Sequence, residues 1–407
     1  MIPYHIQPNG PFHLGRRGVG LEATDSYIPS DTLFAAMLST AIEIGLNPDD
    51  WLSKFSRLEF SKPSGSEKGK LITITVDTVP PFLLSSAFPR AGQVRFYPAP
   101  SLRLWSATMP DEKIECRLKK LKKIKYMSEG IFQKLITNRL RYEDLPPDDE
   151  QDITDDDKGV FLQGNLWLMA EEISQLPKQF QYKKEKGRLV KYPSNKKKYK
   201  ALRKHTVWKM GKVPRVTIDR LTNQSNIFHS GRVIFTPDCG LWFGIVWHDK
   251  QYHKILHHIL DMLGDAGIGG ERSVGHGHFT WEQANTNIAW QAPQENDLFI
   301  LLSRYHPHTE NEIANLRDEQ VSYDLQSVAG WITSLHASAQ RRRRIWMFTE
   351  GSVLKKANQS TVMGDVVDVQ PVYDEIFPAK KESPDPFPHS VWRYGLACGV
   401  AWKGAKS

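Results

Sequence analysis

The residues with the clearest chemical content run Gly267-Ile268-Gly269-Gly270-Glu271-Arg272-Ser273-Val274-Gly275-His276-Gly277-His278-Phe279. Glycines allow positive φ and close approach of another chain. Gly269, Gly270, Gly275 and Gly277 can therefore turn successive N–H groups towards one concave anion site. Arg272 adds a fork of donors and Ser273 a hydroxyl. Together they suit the grip of a phosphodiester backbone. GxG spacing also marks dinucleotide-binding loops, but those run strand, loop, helix, so that a helix N-terminus meets the pyrophosphate. Here an apolar helical pattern comes before the loop and a strand pattern after it, which excludes that reading. The Gly404-Ala405-Lys406-Ser407 echo of a Walker A end has no helix following it.

Cations elsewhere extend the theme. In Arg117-Leu118-Lys119-Lys120-Leu121-Lys122-Lys123-Ile124-Lys125, Leu118, Leu121 and Ile124 step by three. That spacing predicts a helix with one buried face and outward lysines. The stretch from Lys183 to Arg215 has Glu185 as its single acid, and Tyr182, Tyr192, Tyr199 and Trp208 lie among its lysines and arginines. Phosphate contacts fix register, and unpaired bases stack on aromatic planes. Lys119, Lys120, Lys122, Lys123, Arg215, Arg220 and Arg272 are the candidate phosphate contacts. The net charge of +8 agrees with such a partner.

Two catalytic readings compete. A metal-independent ribonuclease needs a histidine or tyrosine beside a cation, and His5, His13, His229, His276 and His278 are the available imidazoles. A metal enzyme finds an echo in His248-Asp249 and in His253 and His257, four apart on one helix. Lys254, however, stands where a metalloprotease helix carries its glutamate. No metal and no cofactor is expected. Cys116, Cys239 and Cys398 form no CxxC pair and read as buried thiols.

The elements that would position the loop can be drawn from periodicity. A strand opens the chain. Ser30 reads as the N-cap of a helix whose apolar face is Leu33, Phe34, Met37, Leu38, Ala41 and Ile42, ended by Gly45. Leu71 to Asp77 alternates as a strand. Leu241 to Trp247 reads as a buried strand, followed by a helix through Tyr252, Ile255, Leu256, Ile259, Leu260 and Leu263, the loop, and a strand near Phe279. Residues 100 to about 232 read as an insertion, with an acidic, mobile stretch from Glu143 to Asp157. The order suits a split βαβ sheet. Residues 285–296 read as a linker to a second unit, with strands at Leu298–Tyr305, Ile345–Thr349, Val366–Val369 and Trp392–Trp402. The expected fold class is α+β: two tandem ferredoxin-like or RRM-like (βαββαβ) domains, 1–284 and 297–407, with the large insertion in the first and the glycine loop at 267–278. No signal peptide opens the chain, and Leu33–Ile44 is too short to span a bilayer, so a cytoplasmic protein without membrane contact is expected.

The glycine loop resembles the signature loop of the RAMP superfamily of CRISPR proteins. Further segments narrow the match: Gly18-Val19-Gly20-Leu21 with Thr24 to Phe34, Lys119 to Lys125, Ile218-Asp219-Arg220-Leu221-Thr222, Glu350-Gly351-Ser352-Val353-Leu354, Gly364 to Val369 and Tyr394-Gly395-Leu396. In this order they are similar to the fourth-subunit (Csm-type) family of type III-A effector complexes. The resemblance implies a non-catalytic subunit with two RRM-like domains. It implies binding to the 5′ handle of the guide RNA (crRNA), with a protruding thumb that kinks the RNA. It also implies contacts to the large polymerase-like, cyclic-oligoadenylate-making subunit and to the repeating backbone RAMP subunit. Some RAMP relatives are ribonucleases, which keeps precursor processing as the alternative.

Overall fold

The computed structural model describes residues 1–15, 22–60, 71–76, 79–100, 121–219, 221, 224–307, 309–334, 337–357, 362–371 and 387–403. In chain order the first part runs β1 (Ile2–Pro8), α1 (Ser30–Glu43), α2 (Asp49–Leu52), β2 (Arg57–Phe60), β3 (Leu71–Ile74), β4 (Phe82–Leu84), β5 (Phe88–Ala91) and β6 (Val94–Pro98). It continues with β7 (Tyr126–Ser128), α3 (Glu129–Ile136), β8 (Gly159–Leu162), β9 (Leu166–Met169), α4 (Lys178–Gln181), β10 (Tyr182–Glu185), β11 (Arg188–Lys191) and α5 (Asn195–Leu202). β12 (Trp208–Ile218), β13 (Ser225–Phe235), β14 (Cys239–Trp247), α6 (His253–Ala266) and β15 (Phe279–Gln283) complete it.

The main sheet has the order β15-β1-β14-β5-β6-β7-β9-β8, with β4 also paired to β14. β1 lies antiparallel between β14 and β15, with Tyr4 opposite Phe243 and Gln283. As a central strand it is buried on both faces, with Pro3, Tyr4, His5 and Ile6 all enclosed, and α1 and α6 pack against one another. Leu33, Phe34, Met37, Leu38 and Ala41 are buried as expected, whereas Ile42 is exposed. Gly45 takes φ +84 and closes α1 through Gly45 N–H to Ile42 O (3.0 Å) and Leu46 N–H to Ala41 O (2.9 Å). Ser30 is not the cap. Pro29 holds that place, and the fully buried Ser30 hydroxyl accepts from Arg304 N–H (2.8 Å) in the C-terminal region.

Within the segment read as an insertion, β7, β9 and β8 extend the main sheet from β6. The acidic stretch is tied down rather than mobile. Leu145 and Ile153 are in the core, and buried Asp144 accepts from Lys134 Nζ (2.7 Å) and Arg141 N–H (2.9 Å). The acids also answer the bases that follow. Asp155 accepts from Lys196 N–H (2.6 Å), Glu150 pairs with Lys204 (2.8 Å), and Arg203 donates to the carbonyls of Pro147 (3.2 Å) and Asp148 (2.8 Å). Composition treats the two stretches separately; in space they are bonded to one another. In the segment read as a linker, Ile288 is buried and Trp290 stacks on Phe132 at 4.8 Å.

The C-terminal region contains β16 (Leu298–Leu301), α7 (Glu310–Ala314), β17 (Leu325–Val328), β18 (Trp331–Ser334), β19 (Ala337–Arg341), β20 (Ile345–Phe348), β21 (Val353–Lys355), β22 (Val366–Asp368), β23 (Trp392–Tyr394) and β24 (Gly399–Trp402). β21-β16-β24 form one sheet, while β23-β22-β2-β3 mixes strands from both ends of the chain. The core is shared: Ile300, Val366 and Tyr394 lie in the same apolar cluster as Phe34 and Phe82. Across that seam Arg304 Nε sits 3.2 Å from Glu350 Oε1, Arg304 Nη2 donates to Tyr27 Oη (2.6 Å), and the Ser86 hydroxyl donates to Glu350. Among the described residues no helix is long and apolar enough to cross a membrane.

His5 supplies a pH test of the main sheet. Its Nδ1 is 3.2 Å from Glu282 Oε1 and its side chain is almost fully enclosed. Burial first, then the Arg90 charge, pulls the imidazole from 6.5 to about 4. Between those values the unfolded chain binds a proton that the folded chain refuses, so stability falls as pH drops through the window. His5→Gln is expected to flatten the urea midpoint across it, and an unchanged slope would refute the assignment.

Candidate nucleic-acid interface

α6 ends where Gly267 turns to φ +80 and donates to Leu263 O (2.8 Å). The loop's two arms then close on each other through Ile268 N–H to Gly277 O (3.0 Å). The segment Pro11–Leu14 clasps both: Gly270 N–H donates to His13 O (2.9 Å) and Gly277 N–H to Pro11 O (2.9 Å). A Cβ on Gly277 would lie 2.2 Å from Ile268 O, and one on Gly269 2.4 Å from His13 O. Much of the glycine content therefore serves close packing within the chain. The amides of Gly270, Gly275 and Gly277 are donated internally and are not offered to an anion.

The tip is different. Glu271 takes a left-handed φ of 59°, Arg272–Val274 form one 3-10 turn, and Arg272, Ser273 and Gly275 face solvent. Of the predicted loop residues, Arg272 and Ser273 thus remain free to reach a ligand.

Beside the loop rises an antiparallel hairpin, β12 paired with β13 from Trp208–Phe235 at its base to Ile218–Ser225 near its tip. Trp208, Val233 and Phe235 anchor the base in the core. Val216, Ile218 and Ile227 are exposed farther out, so the outer half projects from the body. Phe12 and Val233 exchange both backbone hydrogen bonds (2.9 and 2.8 Å), and His13 Nδ1–H donates to Gly231 O (2.6 Å). The Pro11–Leu14 segment therefore holds loop and hairpin in fixed relation.

Arg215 on β12 places Nη2 3.6 Å from the Glu271 carboxylate. Burial, then the charge of Arg215, lowers the His276 pKa, with His13 and Arg232 acting in the same direction. Arg215 Nε, Arg232 Nε and His276 Nδ1 are buried nitrogens without a protein partner. Glu271 thus faces several cationic or proton-donating groups beside the hairpin. The sequence reading missed Arg232, His13, His276 and Glu271 as a group. The alternation of Val213, Arg215 and Thr217, followed by a polar turn and a second alternating run, was the available signal for the hairpin.

The remaining candidates lie elsewhere. Lys122 and Lys123 are exposed after buried Leu121, as the three-residue spacing required. They precede Tyr126, whose ring is 6.4 Å from Trp208 at the hairpin base. Lys119, Lys120 and Arg220 fall outside the described residues. The paired histidines of α6 are packed against aromatic rings: His257 Nε2 meets Tyr4 Oη at 3.1 Å, and the His253 ring lies 4.1 Å from that of Trp247.

In fold, the protein is similar to chains seen in crystal structures of type III CRISPR proteins. It superposes over 99% of its length on a whole chain of a crystal structure of a Csm3–Csm4 subcomplex of the type III-A interference complex, with a TM-score of 0.56 at 16% identity. It also matches a chain of a Csm1–Csm4 cassette in complex with AMPPNP, with a TM-score of 0.51 at 15% identity, covering 100% of this chain and 99% of that one. In sequence, residues 294–402 match the family model for the CRISPR Csm4 C-terminal domain. A Methanocaldococcus jannaschii protein, CRISPR system Cms protein Csm4, is 22% identical over 391 residues, covering 92% of this chain and 90% of that protein. A Thermococcus onnurineus protein of the same description is 27% identical over 143 residues, or 35% of this chain and 44% of that one. Residues 294–402 thus match a Csm4 C-terminal domain, and the chain is similar to a Csm4 protein along almost its whole length.

Proposed function

We propose that the protein is a non-catalytic RNA-binding subunit of a type III-A interference complex in the cytoplasm, holding the 5′ handle of crRNA. The observation that carries this reading is the fixed pairing of the Arg272–Ser273 tip with the projecting β12–β13 hairpin through Arg215 and Glu271. Exposed donors at the tip would take phosphates, and the buried nitrogens at the hairpin base still lack acceptors. The projecting hairpin is assigned as the thumb. Its exposed Val216, Ile218 and Ile227 would press against an unstacked base rather than against protein.

The same reading assigns partners: a large polymerase-like subunit of the Csm1 kind and a backbone subunit of the Csm3 kind, as in the complexes of the structural relatives. The protein would link the two. Its architecture would be two tandem ferredoxin-like units. The strand order β15-β1-β14-β5, with α1 and α6 as the crossovers, supports this for residues 1–284. For residues 297–407 the support is the small β21-β16-β24 sheet.

RNA recovered with the protein from its host should consist of guide RNAs sharing one repeat-derived 5′ end, while bulk cellular RNA would overturn the reading. Arg215→Ala/Arg272→Ala should lower the salt slope of handle binding by about 1.4, from roughly 0.7 per phosphate on single strands. Discrete cleavage of repeat RNA in EDTA, abolished by a His276→Ala or His13→Ala change, would make the protein a ribonuclease instead.

A further inference from the structure

A second basic and aromatic surface lies in the C-terminal region, apart from the loop and thumb. β17 pairs with β20, and β18 with β19. The two ladders form one long hairpin bent at Gly330 (φ 147°), where Gly330 O accepts from Arg342 N–H (3.0 Å) and Ala329 O from Arg342 Nη2 (2.7 Å). Ile345 and Met347 on β20 point into the core, so Trp346 between them faces outward, 57% exposed. Trp331 on β18 is 64% exposed. Among the described residues, the strongly exposed aromatics Tyr323, Trp331 and Trp346 all fall in this one segment.

The charge within the hairpin's own sequence is of one sign. From Leu325 to Phe348 the sequence contains no Asp or Glu but carries Arg341, Arg342, Arg343 and Arg344 in a row. Arg342 is spent on the Ala329 carbonyl and Arg343 donates to the Asp368 carbonyl. Arg341 and Arg344 are exposed, and the Arg341 guanidinium lies 5.1 Å from the Trp331 ring centroid. A large indole left in water, braced by a guanidinium and flanked by cations without acids, is what a nucleobase and its phosphate require. An acidic protein groove could meet the arginines but offers nothing that needs two exposed indoles.

We infer that the hairpin of residues 325–348 is a second binding site for single-stranded RNA, with Trp331 and Trp346 as base-stacking platforms and Arg341 and Arg344 as phosphate contacts. The site is independent of the handle reading, because it asks only for unpaired nucleotides of any sequence.

The test uses the full-length protein and a labelled, unstructured RNA of about 20 nucleotides with no repeat-derived sequence, long enough to span such a platform. Trp331→Ala/Trp346→Ala should weaken binding about tenfold or more without changing the salt slope. Arg341→Ala/Arg344→Ala should reduce that slope by about 1.4. Trp331→Phe/Trp346→Phe, which keeps a stacking plane, should bind within about threefold of the parent. Photo-cross-linking of 4-thiouridine RNA should label the peptide containing Trp331 or Trp346, and Arg215→Ala/Arg272→Ala should leave that label in place. Unchanged affinity and no cross-link in a folded double-Ala variant would overturn the assignment. So would intact RNA binding combined with loss of a protein partner from the assembled complex, which would make the hairpin a protein-docking surface.

Discussion

Glu350→Ala should destabilise the protein by about 3–5 kcal/mol, the usual cost of stripping one partner from a buried ion pair. Glu350 and Arg304 are each under a twentieth exposed, and their charged atoms are 3.2 Å apart. Burial pulls the Arg304 guanidinium down; the Glu350 carboxylate, with Tyr27 and Asp31, outweighs it and holds the group above the usual arginine range. Removing the carboxylate leaves a cation enclosed among Tyr27, Ser30 and Ser86 with no route to water. The defect should also be spread across the molecule, because these residues come from both ends of the chain and join β5's approach, the start of α1 and the β20–β21 turn. Urea unfolding measures the loss. Adding Arg304→Leu to Glu350→Leu should recover most of it, since deleting both charges avoids the unpaired one. A Glu350→Ala protein within about 1 kcal/mol of the parent would mean that water reaches the pair.

This pair shows how far sequence can be read. Tyr27 and Glu350 each sit in segments that drew the family resemblance, yet nothing in either segment says that the two side chains meet 323 residues apart at 3.5 Å. Local pattern found α1 and α6, because each buries one face and the 3.6-residue step records it, and β14, because a strand buried on both faces reads as one apolar run. It failed where burial is decided between segments. The acidic stretch looked mobile by composition, but Leu145 and Ile153 are buried, and the stretch is tied to the basic segment by the Lys196 backbone amide on Asp155 and by the Glu150–Lys204 pair. In the C-terminal region β17, β18, β19 and β21 were missed. β17 and β18 expose the apolar Leu325 and Trp331, which blurs the alternation, and β21 is three residues long, too short for a pattern to show. At the site, the sequence marked the loop and Arg215 but not the partition of its glycines. Residue type says that a glycine can approach another chain closely; only the fold says that here the other chain is Pro11–Leu14.

That partition has a measurable consequence. Gly277→Ala should cost about 2–5 kcal/mol, combining roughly 1–2 for a side chain at positive φ with roughly 1–3 for forced overpacking. Gly277 has φ +85, and its new Cβ would lie 2.2 Å from Ile268 O and 3.0 Å from Ile268 C, both backbone atoms that cannot rotate away. Gly275, two residues earlier, has nearly the same φ, +86, but nothing within 4 Å of its Cβ position. Gly275→Ala should therefore cost only the conformational part, about 1–2 kcal/mol. The pair of variants separates backbone conformation from close approach within a single turn. Gly277→Ala should also release the two loop arms, speeding hydrogen exchange at the Ile268, Gly270 and Gly277 amides, which the clasp now holds. Handle binding should fall with it, because Arg272 loses its fixed position relative to Arg215, whereas Gly275→Ala should keep both cations in place. Equal stabilities for the two variants would sink the clasp, and with it the argument that the loop is a rigid mount for its tip.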